Sequence, residues 1–442
     1  MRIGLIAMSG VRVKTPELAE LGVTLPQFVS RGEVIASLPS LGLLTVAALT
    51  PPDVEVAYRE ISEVDPHTPL EPFDLVGISS FTAQIDEAYA LADRYRAAGT
   101  PVVLGGIHVS LVPDEAAQHA DSIVLFGAEG AWPQLVEHFR TGQLRPRYEG
   151  LRDRVFEPSH YVAPRFDLLR GRRYNRVTVQ TSRGCPLDCE FCAASLRITS
   201  RFQQKPVPLA IAEIRRAIEV NQHPFLELAD DNTFLNRRWG KEFLQALEPL
   251  GVRWFTETDV SVADDDELLD RLAASGCRQL LIGLESPSPG ALAGLDPHDW
   301  KRKRADRYLA AIERIQDRGV SVNGCFVLGL DGHTPDIFTE VRDFIARSGL
   351  LEVQLTVLTP FPGTPLYERL RREGRLLSDR YWDRCTLFDV NYQPQGMSVG
   401  ELESGLRWLF QEVYCEREFA RRKRQYMETV KRRENSSGTN EA

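Results

Sequence analysis

Short apolar runs and amphipathic helical stretches alternate along this chain in two long series, and that alternation limits its fold more than any other feature. Strands that are each followed by a helix are joined by crossovers, so they run parallel with helices packed on the sheet. In the first series, apolar runs at 3–7, 54–58, 75–79, 102–104 and 122–126 are separated by helical patterns at 42–49, 85–98 and 132–139. This predicts a Rossmann-like domain over 1–140, with ligands expected at the carboxyl ends of its strands. Gly105-Gly106-Ile107-His108 and Gly127-Ala128-Glu129-Gly130 each follow a strand end, where glycine lets a backbone approach a ligand closely.

Residues 141–175 are rich in Arg, Pro and aromatics without a clean period, and read as a linker. The second series places strands at 177–181, 225–229, 253–258, 280–284, 320–328 and 352–358, with helices at 209–221, 239–247, 265–275, 305–318 and 336–347 between them. Six such units predict an α/β partial (β/α)6 barrel over 176–365, whose carboxyl face carries the chemistry. Polar residues gather where those strands end: Asp230-Asp231-Asn232, Glu257 with Asp259, Glu285-Ser286, and Asp331 with His333. A helical region follows over 366–435, and 436–442 is expected to be disordered.

The formal net charge of -9 argues against a surface built wholly for nucleic acid, although it leaves room for a local basic patch. The apolar start is interrupted by Ser9-Gly10, Arg12 and Lys14, too early for a signal-peptide core. No stretch approaches the ~20 apolar residues of a membrane span. A cytoplasmic protein is the default expectation.

Three of the seven cysteines crowd together as Cys185-Pro186-Leu187-Asp188-Cys189-Glu190-Phe191-Cys192, directly after the first barrel strand. Three thiolates at this spacing wrap one corner of a four-iron cubane and leave one iron open to chelate a small molecule. A structural zinc asks for a fourth ligand, and the nearest downstream histidine is His223, far from Cys192 in the chain. Cys277 and Cys415 fall in helix-associated stretches, and Cys325 on the fifth strand is the isolated thiol expected to face the barrel interior.

The cysteine spacing, with Phe191 before the last Cys, resembles the signature of the radical S-adenosylmethionine superfamily. The domain order is similar to its cobalamin-dependent branch, which includes the anaerobic magnesium-protoporphyrin cyclase-like and hopanoid methylase-like proteins. The likeness extends through Pro39-Ser40-Leu41-Gly42-Leu43, Gly105-Gly106-Ile107-His108-Val109-Ser110, Asp230-Asp231-Asn232, Ile282-Gly283-Leu284-Glu285-Ser286 and Leu358-Thr359-Pro360-Phe361-Pro362-Gly363-Thr364-Pro365.

The resemblance implies a 4Fe-4S cluster on Cys185, Cys189 and Cys192, S-adenosylmethionine on the open iron, and cobalamin in the first domain. It implies reductive cleavage to a 5′-deoxyadenosyl radical, an external electron donor of flavodoxin or ferredoxin type, and a small-molecule substrate. Phe191 would lie against adenine; Asp230 or Asp231 would meet the cofactor's ammonium; Glu285 would meet its polar part, and Glu257 its ribose. The chain reads Leu228-Ala229-Asp230-Asp231 where the family carries a glycine-rich motif. Asp230 and Asp231 also read as helix N-caps, and Glu257 as a cap or salt-bridge partner. Gly105, Gly106, His108, Gly127 and Glu129 are the cobalamin-side candidates. The family's Asp-x-His-x-x-Gly motif is absent, since Asp65-Pro66-His67 continues as Thr68-Pro69-Leu70, so cobalamin is expected without a histidine beneath cobalt. The implied activity is methyl transfer to an unactivated carbon or phosphorus centre. Cyclisation or rearrangement, and a non-catalytic iron–sulfur or cobalamin carrier, are the alternatives.

Overall fold

The computed structural model describes residues 1–21, 38–172, 174, 176–220 and 225–438. Residues 22–37, in the long segment after the first strand, and His223 lie outside the described residues.

The first sheet is wholly parallel, in the order β2-β1-β3-β4-β5-β6, built from β1 (Arg2–Met8), β2 (Glu55–Ile61), β3 (Leu75–Ser79), β4 (Val102–Gly105), β5 (Ser122–Leu125) and β6 (Arg147–Glu149). Strand order reverses between β1 and β3, so a crevice opens there at the carboxyl edge. Strand β6 lies inside the stretch expected to be a linker. Its three residues are too short to show a period, and it forms because buried Tyr148 packs under β5. The helices Leu41–Leu49 (α1) and Ile85–Ala97 (α2) lie on crossovers, and α2 shows why they hold: Ile85, Ala88, Tyr89, Leu91, Ala92 and Tyr95 fall on one buried face. Asp86 and Glu87 in its first turn, and Arg94 and Arg96 in its last, suit the helix dipole.

The second sheet is also parallel, ordered β12-β11-β10-β9-β8-β7: β7 (Val177–Val179), β8 (Phe225–Leu228), β9 (Arg253–Thr258), β10 (Cys277–Glu285), β11 (Ser321–Leu328) and β12 (Glu352–Val357). The first and last strands do not pair, which makes this an incomplete barrel. Side chains alternate across it. Leu226, Leu228, Trp254, Leu280, Ile282, Leu284, Val322, Phe326 and Leu328 point to the helix layer and are completely buried. In register on the other face stand Glu227, Glu257, Gln279, Asn323 and Gln354, a polar lining for the interior. Cys325 lies on that inner face, as expected. Cys277 belongs to a strand and not to a helix: the strand begins earlier than the apolar run suggested, and Cys277 is its buried first residue.

Beyond the barrel the helices Pro365–Arg372, Val399–Tyr414 and Glu416–Gly438 follow. The last one continues through Gly438, into the tail expected to be disordered; 439–442 lie outside the described residues.

Candidate active site

The cysteine loop leaves the end of β7 and is held from three sides. Asp230, just past β8, accepts from Thr181 N at 2.7 Å, Ser182 N at 2.8 Å and Thr233 Oγ1 at 3.0 Å, and from the Thr181 hydroxyl. Burial pushes this carboxyl up, and those four donors oppose the shift. Asp231 accepts from Gly184 N at 3.0 Å and from Ser195 Oγ at 2.6 Å, so one side chain holds both the entry and the exit of the loop. Neither aspartate caps the following helix. That cap is Asn236, whose side chain accepts from Trp239 N at 3.1 Å, because the chain needs five further residues to turn before the helix starts.

Within the loop, Arg197 donates to the carbonyls of Cys189 and Cys192, both at 2.7 Å, and to Asp188 at 2.8 Å. Gly184 has φ +88, and a Cβ there would meet Thr199 Oγ1 at 2.9 Å. No other residue adopts that turn without strain. On the third side, Glu190 N donates to Leu295 O at 2.9 Å, Leu366 N donates to Glu190 O at 3.0 Å, and Arg369 forks the Glu190 carboxylate at 2.7 and 3.0 Å. Phe191 is half-buried against the core.

Burial pushes the Cys189 and Cys192 thiols up to about 12, and raises Cys185 as well. Such thiols are inert as free nucleophiles, whereas coordination removes their protons outright. Among the described residues no three His, Cys, Asp or Glu side chains converge as a single-ion site would. A cubane places each thiolate on a separate iron, so it asks for sulfurs spread over one loop, and the triplet's donor set suits that demand.

Glu285 ends β10 with φ +64, beside the register shift between Gly283 and Glu285. Its carboxylate meets Lys301 Nζ at 2.6 Å, and Lys301 also donates to Gly283 O at 2.8 Å. A Cβ on Gly283 would lie 2.3 Å from Glu285 Oε1, so the glycine of Ile282-Gly283-Leu284-Glu285-Ser286 makes room for the ion pair. Burial alone would lower the Lys301 ammonium, but Glu285 and nearby Cys189 raise it instead. Lys301 was not legible in the sequence. It is distant from Glu285 in the chain and looks there like the start of a solvated basic run, Lys301-Arg302-Lys303-Arg304.

Glu257 neither caps a helix nor joins an ion pair in the described structure. It opens onto the barrel interior, accessible to solvent but surrounded by protein. Burial, then the charges of Glu227, Asp231 and Asp230, push it up to about 8. Deeper in the barrel Arg176 Nε pairs with Glu227 at 3.0 Å.

The carboxyl edge of the first sheet faces this loop. Arg183, adjacent to Gly184, reaches buried Glu129 at 3.3 Å, and the short helix Ile107–Leu111 (α3) packs on the turn Ser195–Arg197 that leaves the cysteines. Gly127 pairs with Leu151, and a Cβ on it would come within 2.8 Å of Leu151 O and 3.2 Å of Arg183 Nη1. Gly106 has φ +110, where a Cβ would press on Ser79 Oγ at 3.0 Å; Phe81, just past the carboxyl end of β3, stands 58% exposed. An open crevice with an apolar ring and glycine-lined strand ends suits a flat, partly apolar cofactor such as cobalamin. His108 stands on α3, beside that edge. It is buried between Tyr89 and Trp382, donates to or accepts from Thr82 Oγ1 at 3.2 Å, and burial lowers it to about 4.

Two sequence-family models match the two halves of this site: the B12 binding domain over 32–136 and the radical SAM superfamily over 179–345; a domain of unknown function, DUF4070, matches 364–441. Bacteriochlorophyllide d C-12(1)-methyltransferase of Chlorobaculum tepidum is 25% identical over 86% of this chain and 83% of its own length. Anaerobic magnesium-protoporphyrin IX monomethyl ester cyclase of Rubrivivax gelatinosus is 22% identical over 76% of this chain and 64% of its own. The radical S-adenosylmethionine methyltransferase TsrM of Kitasatospora setae shares the fold with a TM-score of 0.64, at 16% identity over 94% of this chain and 84% of that one. Among the described residues no helix is long and apolar enough to cross a membrane. A B12 binding domain followed by a radical SAM domain, their strand ends turned toward one another, marks this chain as a radical SAM enzyme that uses a 4Fe-4S cluster, S-adenosylmethionine and cobalamin.

Proposed function

We propose that this enzyme transfers a methyl group to an unactivated carbon or phosphorus centre of a small metabolite. The observation that carries the proposal is the apposition of the two carboxyl edges through Arg183–Glu129 and α3. A substrate lying between them would meet both cofactors without diffusing through water. When bound, the cluster with S-adenosylmethionine supplies a 5′-deoxyadenosyl radical, and cobalamin supplies the methyl group.

The chain's own residues then have distinct tasks. Cys185, Cys189 and Cys192 hold three irons, while Asp230, Asp231 and Arg197 fix the loop that presents them. Phe191 offers its backbone to adenine. Glu285, paired with Lys301, faces the polar end of S-adenosylmethionine, and Glu257 offers a hydrogen-bonding carboxyl from the interior. Gly105, Gly106, Gly127 and the exposed Phe81 line the cobalamin side. On this reading 1–140, with β6 added, bind cobalamin; the rest of 141–175 links the domains; 176–365 form the radical barrel, and 366–435 brace it. The reductant is an external flavodoxin- or ferredoxin-type protein, which fits a cytoplasmic enzyme.

Turnover with S-adenosylmethionine labelled in its methyl group tests the proposal. The label should enter the product, with S-adenosylhomocysteine formed beside 5′-deoxyadenosine. Similarity to a cyclase favours one other reading, ring closure or rearrangement. An altered, unlabelled product would establish that reading in place of methyl transfer.

A further inference from the structure

The reaction consumes an electron from outside, and the surface beside the cysteine loop has a charge unlike that of the molecule as a whole. The segment after β10 wraps the loop: Leu295 O takes the Glu190 N–H at 2.9 Å, and Lys301 enters beside Cys189. Where this segment turns outward it becomes the 3-10 stretch Arg302–Arg307, with Arg302, Lys303 and Arg307 exposed. Arg302 has Asp299 at 3.4 Å. Lys303 donates only to the His298 carbonyl at 2.8 Å, and Arg304 stacks 3.4 Å from the Trp300 ring centroid. Among the described residues Lys303, Arg304 and Arg307 have no carboxylate within ion-pair distance, and Asp306 is the single acid within the stretch.

On a chain of net charge -9, a local excess of cations is where an acidic protein meets attraction and not repulsion. We infer that 302–307 is the docking surface for a small, acidic, low-potential electron-carrier protein that reduces the cluster through the side guarded by Lys301 and Cys189. The inference rests on the proposed cluster site. One electron leaves the carrier's reduced prosthetic group and lowers the cluster's charge by one; no bond or proton changes hands. The arrangement makes chemical sense because electron transfer weakens steeply with distance, and this segment is bonded directly to the cysteine loop.

The test uses the reconstituted full-length enzyme and a reduced acidic flavodoxin as probe, following the bleaching of cluster absorbance by stopped flow. Lys303→Glu with Arg307→Glu should slow reduction by flavodoxin about tenfold or more at low salt and flatten its salt dependence. Reduction by titanium(III) citrate should stay at the wild-type rate, as should flavodoxin reduction of Lys423→Glu with Arg424→Glu on the terminal helix. Wild-type flavodoxin kinetics in the first variant would overturn the inference. Equal slowing with both reductants would also overturn it, since the damage would then lie at the cluster and not at a docking surface. A wild-type protein that assembles no cluster would instead defeat the site assignment beneath it.

Discussion

Lys301 Nζ lies 2.6 Å from Glu285 Oε1, and both side chains are about nine-tenths buried beside the cysteine loop. Charge buried to this degree tolerates the loss of one partner poorly. Lys301→Met should destabilise the protein by about 3–5 kcal/mol, because it strands the Glu285 carboxylate. Lys301→Met combined with Glu285→Gln should recover most of that loss. Denaturant unfolding of the four members of this cycle measures the coupling, and purely additive losses would show that the pair is not an energetic unit.

Replacing Cys185, Cys189 and Cys192 with Ala should take iron from about four per chain to background. Cys277→Ala and Cys415→Ala should leave it unchanged, since one is the buried first residue of β10 and the other lies between the two last helices. Iron analysis of anaerobically purified protein distinguishes the two sets; survival of the cluster in the triple variant would falsify the ligand assignment.

Asp230→Ala removes the acceptor for two backbone and two hydroxyl donors in a dry setting. Each stranded donor costs about 1–3 kcal/mol, so a loss of several kcal/mol is expected, together with a mobile loop. Asp231→Asn keeps an acceptor oxygen and should cost about 1 kcal/mol. Thermal unfolding ranks the two, and a milder effect for Asp230→Ala would contradict the geometry.

Glu257 should make the apo-protein less stable at alkaline pH. Its ordinary value is 4.5, and the fold pushes it up to about 8. The folded chain therefore holds a proton that the unfolded chain releases between these limits. Stability is full below 4.5 and declines as pH rises through 8. Glu257→Gln, neutral at every pH, should match wild type below pH 4.5 and exceed it above pH 8. A gain of equal size at both ends of the range would refute the assignment.

Cobalamin should bind without imidazole below the cobalt. His67 sits in a turn tied to the last turn of α2, where Arg94 donates to Asp65 O at 3.0 Å and Thr68 O at 2.6 Å, at the amino edge of the sheet. His108 is packed between aromatic rings. Electron paramagnetic resonance of the cob(II) form should lack nitrogen superhyperfine splitting from histidine, and its appearance would be decisive against this expectation.

The sequence by itself determined the parallel sheets and the cysteine loop. Apolar period and strand-end glycines are local signals, and Leu75–Ser79 and Arg253–Thr258 form as the pattern predicts. Length decided where that legibility stopped: the three-residue strand Arg147–Glu149 is too short to carry a period and exists only because β5 offers it an edge. The tasks of the acidic residues were decided by tertiary structure alone. Asp230 and Asp231 look like helix caps in the chain, yet they hold the cysteine loop, because parallel pairing of β7 with β8 brings Thr181 and Gly184 under their carboxylates. Lys301 carries no local mark at all. Its place beside Glu285 and Cys189 follows from a chain reversal after β10, and a contact between residues distant in sequence leaves no periodic trace for a reader of the sequence to find.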